Sequence, residues 1–328
     1  MKFTTFNCKS ITRSADCVRD LCDNCDIMAL QETWLLPHDV AYLGSLHSDF
    51  AYTGKSAVDT TAGCLLGRPY GGVALLWRKS IFQTVTVVSC NSDRLVAIKI
   101  DYVDCSFLIF SVYMPTDSAD NLIEFNNCLS EIIAICDSTG IESVFIMGDF
   151  NAHPGERFAR ELLSVCSEQL WSCVDIELLP RDSYTFSSTA NGSLRWLDHC
   201  VVSSAARQLI VNASVQYDVY TSDHIPVSIE SGYYSRFAAQ EKMRDCVNNS
   251  HEKTTCKGGD RAIFDPNLFA KLLTVSVEAS QRPLSPPLYL ATNLVKKNKT
   301  MLTSIADSMD NNYLNTEDVS DIRQRLQA

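Results

Sequence analysis

Two short stretches hold the side chains best suited to acid–base work. In Phe145-Ile146-Met147-Gly148-Asp149-Phe150-Asn151 the apolar run from Val144 to Met147 reads as a buried strand. Gly148 ends it, and a carboxylate and an amide follow on either side of Phe150. Strand alternation predicts Asp149 and Asn151 on one side and Phe150 on the other. An acid and a hydrogen-bonding amide then share a strand end, where loops carry chemistry. The second stretch is Thr221-Ser222-Asp223-His224-Ile225-Pro226, read as the end of a strand over 212–220. His is the side chain best suited to proton transfer near neutral pH. A buried acid could hold its ring in one tautomer and stabilise the imidazolium. Asp198 is the candidate, because it interrupts the apolar run from Trp196 to Val202 and must be solvated or partnered. Asp223 would face the other way, free to ligate metal or to fix Asn7.

Three further polar residues stand at predicted strand ends. Asn7 follows a strand over 2–7, and its amide could orient a neighbouring ligand. Glu32 follows Ile27-Met28-Ala29-Leu30 and presents a carboxylate where a loop begins. Tyr113 closes a strand over 106–113, and Pro115 forces an extended exit.

The elements that must position these groups are legible in outline. Helices are predicted over 13–24, 37–46, 119–137 and 156–168, the third from a stripe of Leu122, Phe125, Leu129, Ile132, Ile133 and Cys136. Strands over 73–77, 82–88, 94–100 and 106–113 recur at about ten residues, the rhythm of an antiparallel sheet in a sandwich. A further strand spans 194–202 with Asp198 in its middle. Residues 50–69, with Gly54, Gly63 and Gly67, read as an irregular surface excursion.

The 328 residues are 46% hydrophobic and 20% charged, which predicts a folded core. Residues 1–230 carry 15 Lys and Arg against 28 Asp and Glu, a net of −13; residues 231–328 carry 13 against 11, a net of +2. So acidic a first part excludes nucleic-acid binding by bulk charge and fits carboxylates gathered around a hard metal ion. Domain organisation is read as 1–230 for the chemistry and 231–328 for a linker-like, partly helical tail. In that tail, helical patterns over 267–279 and 299–309 flank the breaker Pro283-Leu284-Ser285-Pro286-Pro287.

The chain has 14 cysteines and opens Met1-Lys2-Phe3-Thr4 without an apolar leader. Reduced thiols in an intracellular protein, nuclear or cytoplasmic, are expected. No apolar run approaches a membrane span, so no membrane partner is expected, and the protein is expected to be a monomer. The spacing of Cys17, Cys22 and Cys25 matches a ferredoxin loop on paper, but it lies in a helical pattern and is read as packing. His251 and Cys256 lack the paired spacing of a zinc site.

Taken together, Phe6-Asn7, Leu30-Gln31-Glu32-Thr33, Gly71-Gly72-Val73-Ala74, Val112-Tyr113-Met114-Pro115, Gly148-Asp149-Phe150-Asn151, Leu197-Asp198-His199 and Ser222-Asp223-His224 resemble the endonuclease/exonuclease/phosphatase superfamily. Within it, Ala29-Leu30-Gln31-Glu32-Thr33-Trp34-Leu35 and Gly72-Val73-Ala74-Leu75-Leu76 look most like the endonuclease domain of LINE-like (non-LTR) retrotransposons. In those elements a reverse transcriptase follows the endonuclease. No Tyr/Phe-x-Asp-Asp polymerase motif occurs here, so the tail is read as the truncated start of an inter-domain region.

The resemblance implies an α/β fold, a four-layered α/β/β/α sandwich like deoxyribonuclease I, with the site at one rim of the two sheets. It implies a Mg²⁺-dependent phosphodiesterase, with Mn²⁺ as a substitute, that nicks one strand of DNA held by its phosphate backbone. Glu32 would hold the metal, with Asp223 or Asp149 sharing its shell. Asp149, helped by Asn151, would position or deprotonate the attacking water. His224, oriented by Asp198, would stabilise the phosphate charge, and Tyr113 and Asn7 would complete the cradle. Whether Asp149 or His224 is the general base stays open at this level. Two other readings keep the fold: a catalytically idle retroelement remnant that only binds partners, and a phosphatase of small phosphorylated molecules.

Overall fold

The structure, a computed structural model, describes residues 1–232 apart from 62, 64–66, 103, 104 and 189. The tail expected from residue 231, with its helical patterns, lies outside the described residues beyond Gly232.

Two six-stranded sheets face each other. The first runs β13 (Ile210–Val215), β14 (Val227–Ser231), β1 (Lys2–Asn7), β2 (Ile27–Gln31), β4 (Val73–Arg78), β3 (Phe50–Lys55). The second runs β5 (Thr84–Val88), β6 (Leu95–Tyr102), β7 (Cys105–Tyr113), β8 (Ser143–Asp149), β12 (Asp198–Ser203), β9 (Trp171–Cys173). Each sheet is antiparallel except for one central parallel pair, β1 with β2 and β7 with β8. A two-stranded ribbon of β10 (Phe186–Ser187) and β11 (Leu194–Arg195) completes the strands.

The core follows from strand alternation. Phe3, Ile27, Ala29, Leu75, Ile98, Ile109, Phe145 and Ile229 fill the space between the sheets. Their strand neighbours face outward but are also buried, because helices cover both outer faces. Phe6, Met28 and Leu30 pack with Val18, Leu21 and Cys22 of α1 (Ala15–Asp23). Leu108, Phe110 and Ile146 pack with Phe125, Leu129 and Ile132 of α2 (Leu122–Thr139) and Phe158 and Leu162 of α3 (Arg157–Gln169). Two short helices, α4 (Val174–Leu178) and α5 (Ser204–Arg207), flank β12. The result is the four-layered α/β/β/α sandwich. Strands buried on both faces read as continuous apolar runs, which is why 27–30 and 144–147 stand out in the sequence.

Several local expectations are corrected. The run 73–113 is not one antiparallel sheet: β4 belongs to the first sheet and β5 to β7 to the second. The supposed excursion 50–69 opens with edge strand β3, disguised by Gly54, where a Cβ would lie 2.7 Å from Leu43 Cδ1. The helix expected over 37–46 is present as a 3₁₀ helix over Pro37–Ser45. Asp198 begins β12 instead of interrupting a longer strand. His224 precedes a strand, β14, that the alternation pattern did not reveal.

Candidate active site

Topology alone brings the polar strand ends to one rim. β1 and β2 are parallel and in register, Asn7 beside Gln31, so Asn7 and Glu32 leave the same edge. β7 and β8 are parallel with Tyr113 beside Asp149. β12 is antiparallel to β8 and starts with Asp198 opposite Asp149. β14 is antiparallel to β1 with Val227 opposite Thr5, so the segment before it, including His224, reaches the same rim.

Beneath this rim the sheets are tied by buried polar groups. Gln31 Nε2 donates to Ser111 Oγ (2.9 Å), Ser111 Oγ donates to the Leu30 carbonyl (3.0 Å), and Thr5 Oγ1 donates to Gln31 Oε1 (3.2 Å). Gln31 and Ser111 thus fix the spacing of the two halves of the site. The motif containing Gln31 was visible in the sequence, but its partner 80 residues away was not.

Asn7 is the hub. Its Nδ2 donates one hydrogen bond to Glu32 Oε1 and another to Asp149 Oδ2, both 2.9 Å. An amide NH₂ has two hydrogens, so one buried side chain holds two carboxylates together. Glu32 Oε2 accepts from Trp34 Nε1 at 3.0 Å, and the Arg68 guanidinium lies 4.6 Å over the Trp34 ring. Glu32 and Trp34 both have left-handed backbones, with φ of 51° and 55°. This costly conformation is held by Trp34 N–H to the Gly71 carbonyl (2.9 Å) and Thr33 N–H to the Gly72 carbonyl (3.2 Å). Gly72, at φ 87°, has no room for a side chain, since a Cβ would meet Thr33 Oγ1 at 2.5 Å.

Asp149 ends β8 in a tight Asx-type turn. Its Oδ1 accepts from the Asn151 N–H at 2.9 Å. Asn151 is left-handed (φ 49°), and its Nδ2 donates to the Met114 carbonyl at 3.0 Å. The turn replaces the expected simple alternation. Asn151 shapes the Asp149 loop and ties it to the exit of β7. Gly148 precedes it because a Cβ there would meet the Val112 carbonyl oxygen at 2.0 Å.

His224 and Asp198 form a buried pair, with Nδ1 to Oδ2 at 2.8 Å. The other ring nitrogen, Nε2, lies 3.7 Å from Asp149 Oδ2. The backbone of His224 is set by Ser222 Oγ, which accepts the His224 N–H (3.1 Å) and donates to the Asn7 carbonyl (2.8 Å). Burial works against a charged imidazole, but Asp198 and then Asp149 outweigh it and raise His224 to about 10. Burial pushes the Asp149 carboxyl up to about 7, with Asp198 adding to the rise and His224 opposing it. Tyr113 is half-buried; burial, then the charges of Glu32 and Asp149, push its phenol well up. Asp198 Oδ1 is buried without a hydrogen-bond partner among the described residues.

Glu32, Asp149 and His224 offer ligand atoms within 4.8 Å of one another. Two carboxylates suit a hard divalent cation such as Mg²⁺ or Mn²⁺, and each keeps lone pairs beyond its amide contacts. His224, the third member of the group, has its Nδ1 bound to Asp198 and presents only Nε2 to this shell. Asp223, expected near this shell, is turned to Lys9, with which it forms an ion pair.

One buried group that supports the site is not singled out in the sequence. His199, 0% exposed, joins Asp175 (Nδ1 to Oδ2, 2.7 Å) and the Ala152 carbonyl (Nε2 to O, 2.8 Å). It thereby braces the turn that carries Asp149. The sequence signal available was a His inside an apolar strand, which demands a partner.

With this geometry in view, the comparisons are decisive about family. The model of the endonuclease/exonuclease/phosphatase family matches residues 4–224. The chain belongs to this family. No curated protein matches it. Among solved structures, the catalytic domain of Xenopus laevis APE2 superposes with a TM-score of 0.58 at 16% identity, covering 70% of this chain and 91% of that one. The 3′ phosphatase NExo from Neisseria, solved with a product DNA hairpin, gives 0.53 at 19% identity, covering 70% and 99%. The endonuclease domain of TRAS1, a telomere-specific non-LTR retrotransposon, gives 0.52 at 14% identity, covering 70% and 98%. At these identities the likeness is one of fold. Among the described residues no helix is long and apolar enough to cross a membrane.

Proposed function

We propose that this member of the family is a divalent-metal-dependent phosphodiesterase that nicks one strand of DNA, and that it derives from a LINE-like retrotransposon. The observation that carries the reading is the convergence of Glu32 and Asp149 on Asn7, with the His224–Asp198 pair facing Asp149. DNA as substrate is supported by the DNA hairpin bound to the Neisseria relative and by the retrotransposon endonuclease among the structural neighbours.

Glu32, with Asp149 beside it, would hold Mg²⁺ or Mn²⁺, and the ion would supply Lewis-acid polarisation of the phosphate and stabilisation of the leaving oxygen. The protein's own residues divide the remaining work. Asp149, whose carboxyl burial raises, lies between Asn7 and His224, where it is placed to accept a proton from water. His224, held as imidazolium by Asp198, presents Nε2–H to the charge that develops on the phosphate. This division favours Asp149 as base and His224 as the fixed positive donor. Tyr113, kept protonated by its surroundings, is a neutral donor at the same rim.

The test is nicking of supercoiled plasmid in Mg²⁺, with EDTA, Asp149→Ala and His224→Ala as controls. Open-circle product that vanishes in all three is expected. A folded, metal-binding protein that leaves the plasmid intact would sink the proposal.

A further inference from the structure

Asp223 sits next to His224, yet its carboxylate does not join Glu32 and Asp149. Oδ2 is bound by the Lys9 ammonium, and Oδ1 lies 3.4 Å from Ser222 Oγ. The group of possible metal ligands is Glu32, Asp149 and His224, without Asp223. Lys9 is built into the site. Its backbone is left-handed at φ 43°, and its N–H donates to Asn7 Oδ1 at 3.2 Å. Asn7 is the same residue whose Nδ2 joins Glu32 and Asp149. On either side, Cys8 N–H donates to the Gln31 carbonyl (3.0 Å) and Ser10 N–H to the Glu32 carbonyl (2.8 Å). The loop is therefore laced to the Glu32 loop, and the ammonium is delivered to the catalytic rim. Its side chain is 39% exposed, and an ammonium has three donors, of which Asp223 takes one.

We propose that Lys9 is a fixed cation of the site. It neutralises Asp223 and keeps that carboxylate out of the metal shell, so the protein binds one divalent ion rather than two. Its remaining N–H groups meet a phosphate oxygen of the bound strand, in the place a second ion would occupy. The inference rests on the metal-dependent reading above and deepens it.

The full chain is titrated with Mn²⁺ and bound ions are counted by electron paramagnetic resonance, with folding checked by circular dichroism. The unaltered protein is expected to bind one Mn²⁺. Asp223→Asn should keep that affinity within about twofold, and Lys9→Met, which frees Asp223, should add a second, weaker Mn²⁺. Two ions on the unaltered protein, or a tenfold weaker Mn²⁺ in Asp223→Asn, would overturn the proposal. Glu32→Gln separates this failure from that of the underlying reading: it should abolish Mn²⁺ binding, and intact binding would discredit the metal site itself. In metal-free DNA binding, Lys9→Met should lower the slope of log affinity against log salt by about one, as loss of one phosphate contact requires. An unchanged slope would remove Lys9 from the phosphate.

Discussion

Strand β12 contributes to two Asp–His pairs that share their chemistry and differ in access. Asp198 and His199 are consecutive, so they face opposite sides of the strand. Asp198 meets His224 at the rim, and His199 meets Asp175 in the interior. In the rim pair one ring nitrogen is spent on the carboxylate and the other lies 3.7 Å from Asp149. In the interior pair both nitrogens are spent, on Asp175 and on the Ala152 carbonyl. Both partners can only accept, so both nitrogens carry hydrogen and the His199 ring is an imidazolium. Asp175 in turn accepts from Trp196 Nε1 (2.8 Å), the Cys200 N–H (2.8 Å) and Cys173 Sγ (3.3 Å). Cys173, Asp175 and His199 have the composition of a metal site, but their ligand atoms are committed to these bonds. An Asp–His pair is machinery where one nitrogen is left to face another reactive group, as Nε2 of His224 faces Asp149, and a brace where neither is.

The largest effects should separate the two pairs by what they damage. Asp149→Asn and His224→Ala should each lower nicking by on the order of 10²- to 10⁴-fold, the range for loss of a positioned acid, base or charge. Because burial already disfavours the ionised Asp149, Asp149→Asn should leave thermal stability at pH 8 unchanged or higher. His199→Ala should do the reverse. It strands the Asp175 charge in the interior and should cost about 3–5 kcal/mol in urea unfolding, as breaking a buried pair does. Per folded molecule its nicking should fall far less than that of His224→Ala. Equal losses of activity at equal stability would erase the distinction between the pairs.

The same contrast marks what could be read from the sequence. Asn7, Glu32, Tyr113 and Asp149 are legible because each follows an apolar run, and period-two patterning places a residue at a strand end without any partner being known. Asp198 is legible because it interrupts an apolar run, although it begins β12 instead of lying inside a longer strand, and His224 is read as ending a strand although it precedes β14. The strand that explains His224, Val227–Ser231, is short and follows Pro226, so it left no pattern longer than the turn before it. Partners were the hidden part. Asn7 reaches Asp149 across 142 positions and Gln31 reaches Ser111 across 80, distances set by sheet order, which alternation does not encode. The sequence reads Asp223 as free for metal or for Asn7, and nothing in Asn7-Cys8-Lys9 marks the lysine that pairs with it through a left-handed turn. His199 lies beside Asp198 in the same run, and its partner Asp175, 24 positions away, leaves no mark in that pattern.

A pH titration sharpens the comparison. The folded pKa of His224 is raised from the ordinary 6.5 to about 10, with Asp198 and Asp149 overcoming the opposing effect of burial. The native state therefore holds the proton longer than the unfolded chain. Its stabilising contribution is full below about 6.5 and is lost as pH rises through about 10. Metal-free protein should lose stability across that window, and His224→Gln should flatten the slope in chemical unfolding at stepped pH. His199 is raised in the same direction, by Asp175 against burial. It should account for part of the decline left in His224→Gln, and a double variant whose slope between pH 6.5 and 8 equals that of the unaltered protein would remove both histidines from the explanation. Nitrogen NMR offers the direct view: the His199 N–H protons, both hydrogen-bonded, should exchange more slowly than the Nε2 proton of His224, whose nearest carboxylate is 3.7 Å away.

The smallest effect expected belongs to Tyr113. Its phenol stays protonated throughout, since burial and the Glu32 and Asp149 charges push its pKa up. It can act only as a donor or as a packed ring. Arg94 lies 5.7 Å over that ring and donates to the Tyr113 carbonyl at 3.2 Å, so the ring is held whether or not the hydroxyl is present. Tyr113→Phe should therefore keep the fold and remove one hydrogen bond to a charged group, about 1.5 kcal/mol or roughly tenfold in nicking rate. A loss as large as that of His224→Ala would place Tyr113 in proton transfer and demote the rim pair. No loss at all would make it packing alone, and would leave Asn7, His224 and Lys9 as the donors that the substrate meets.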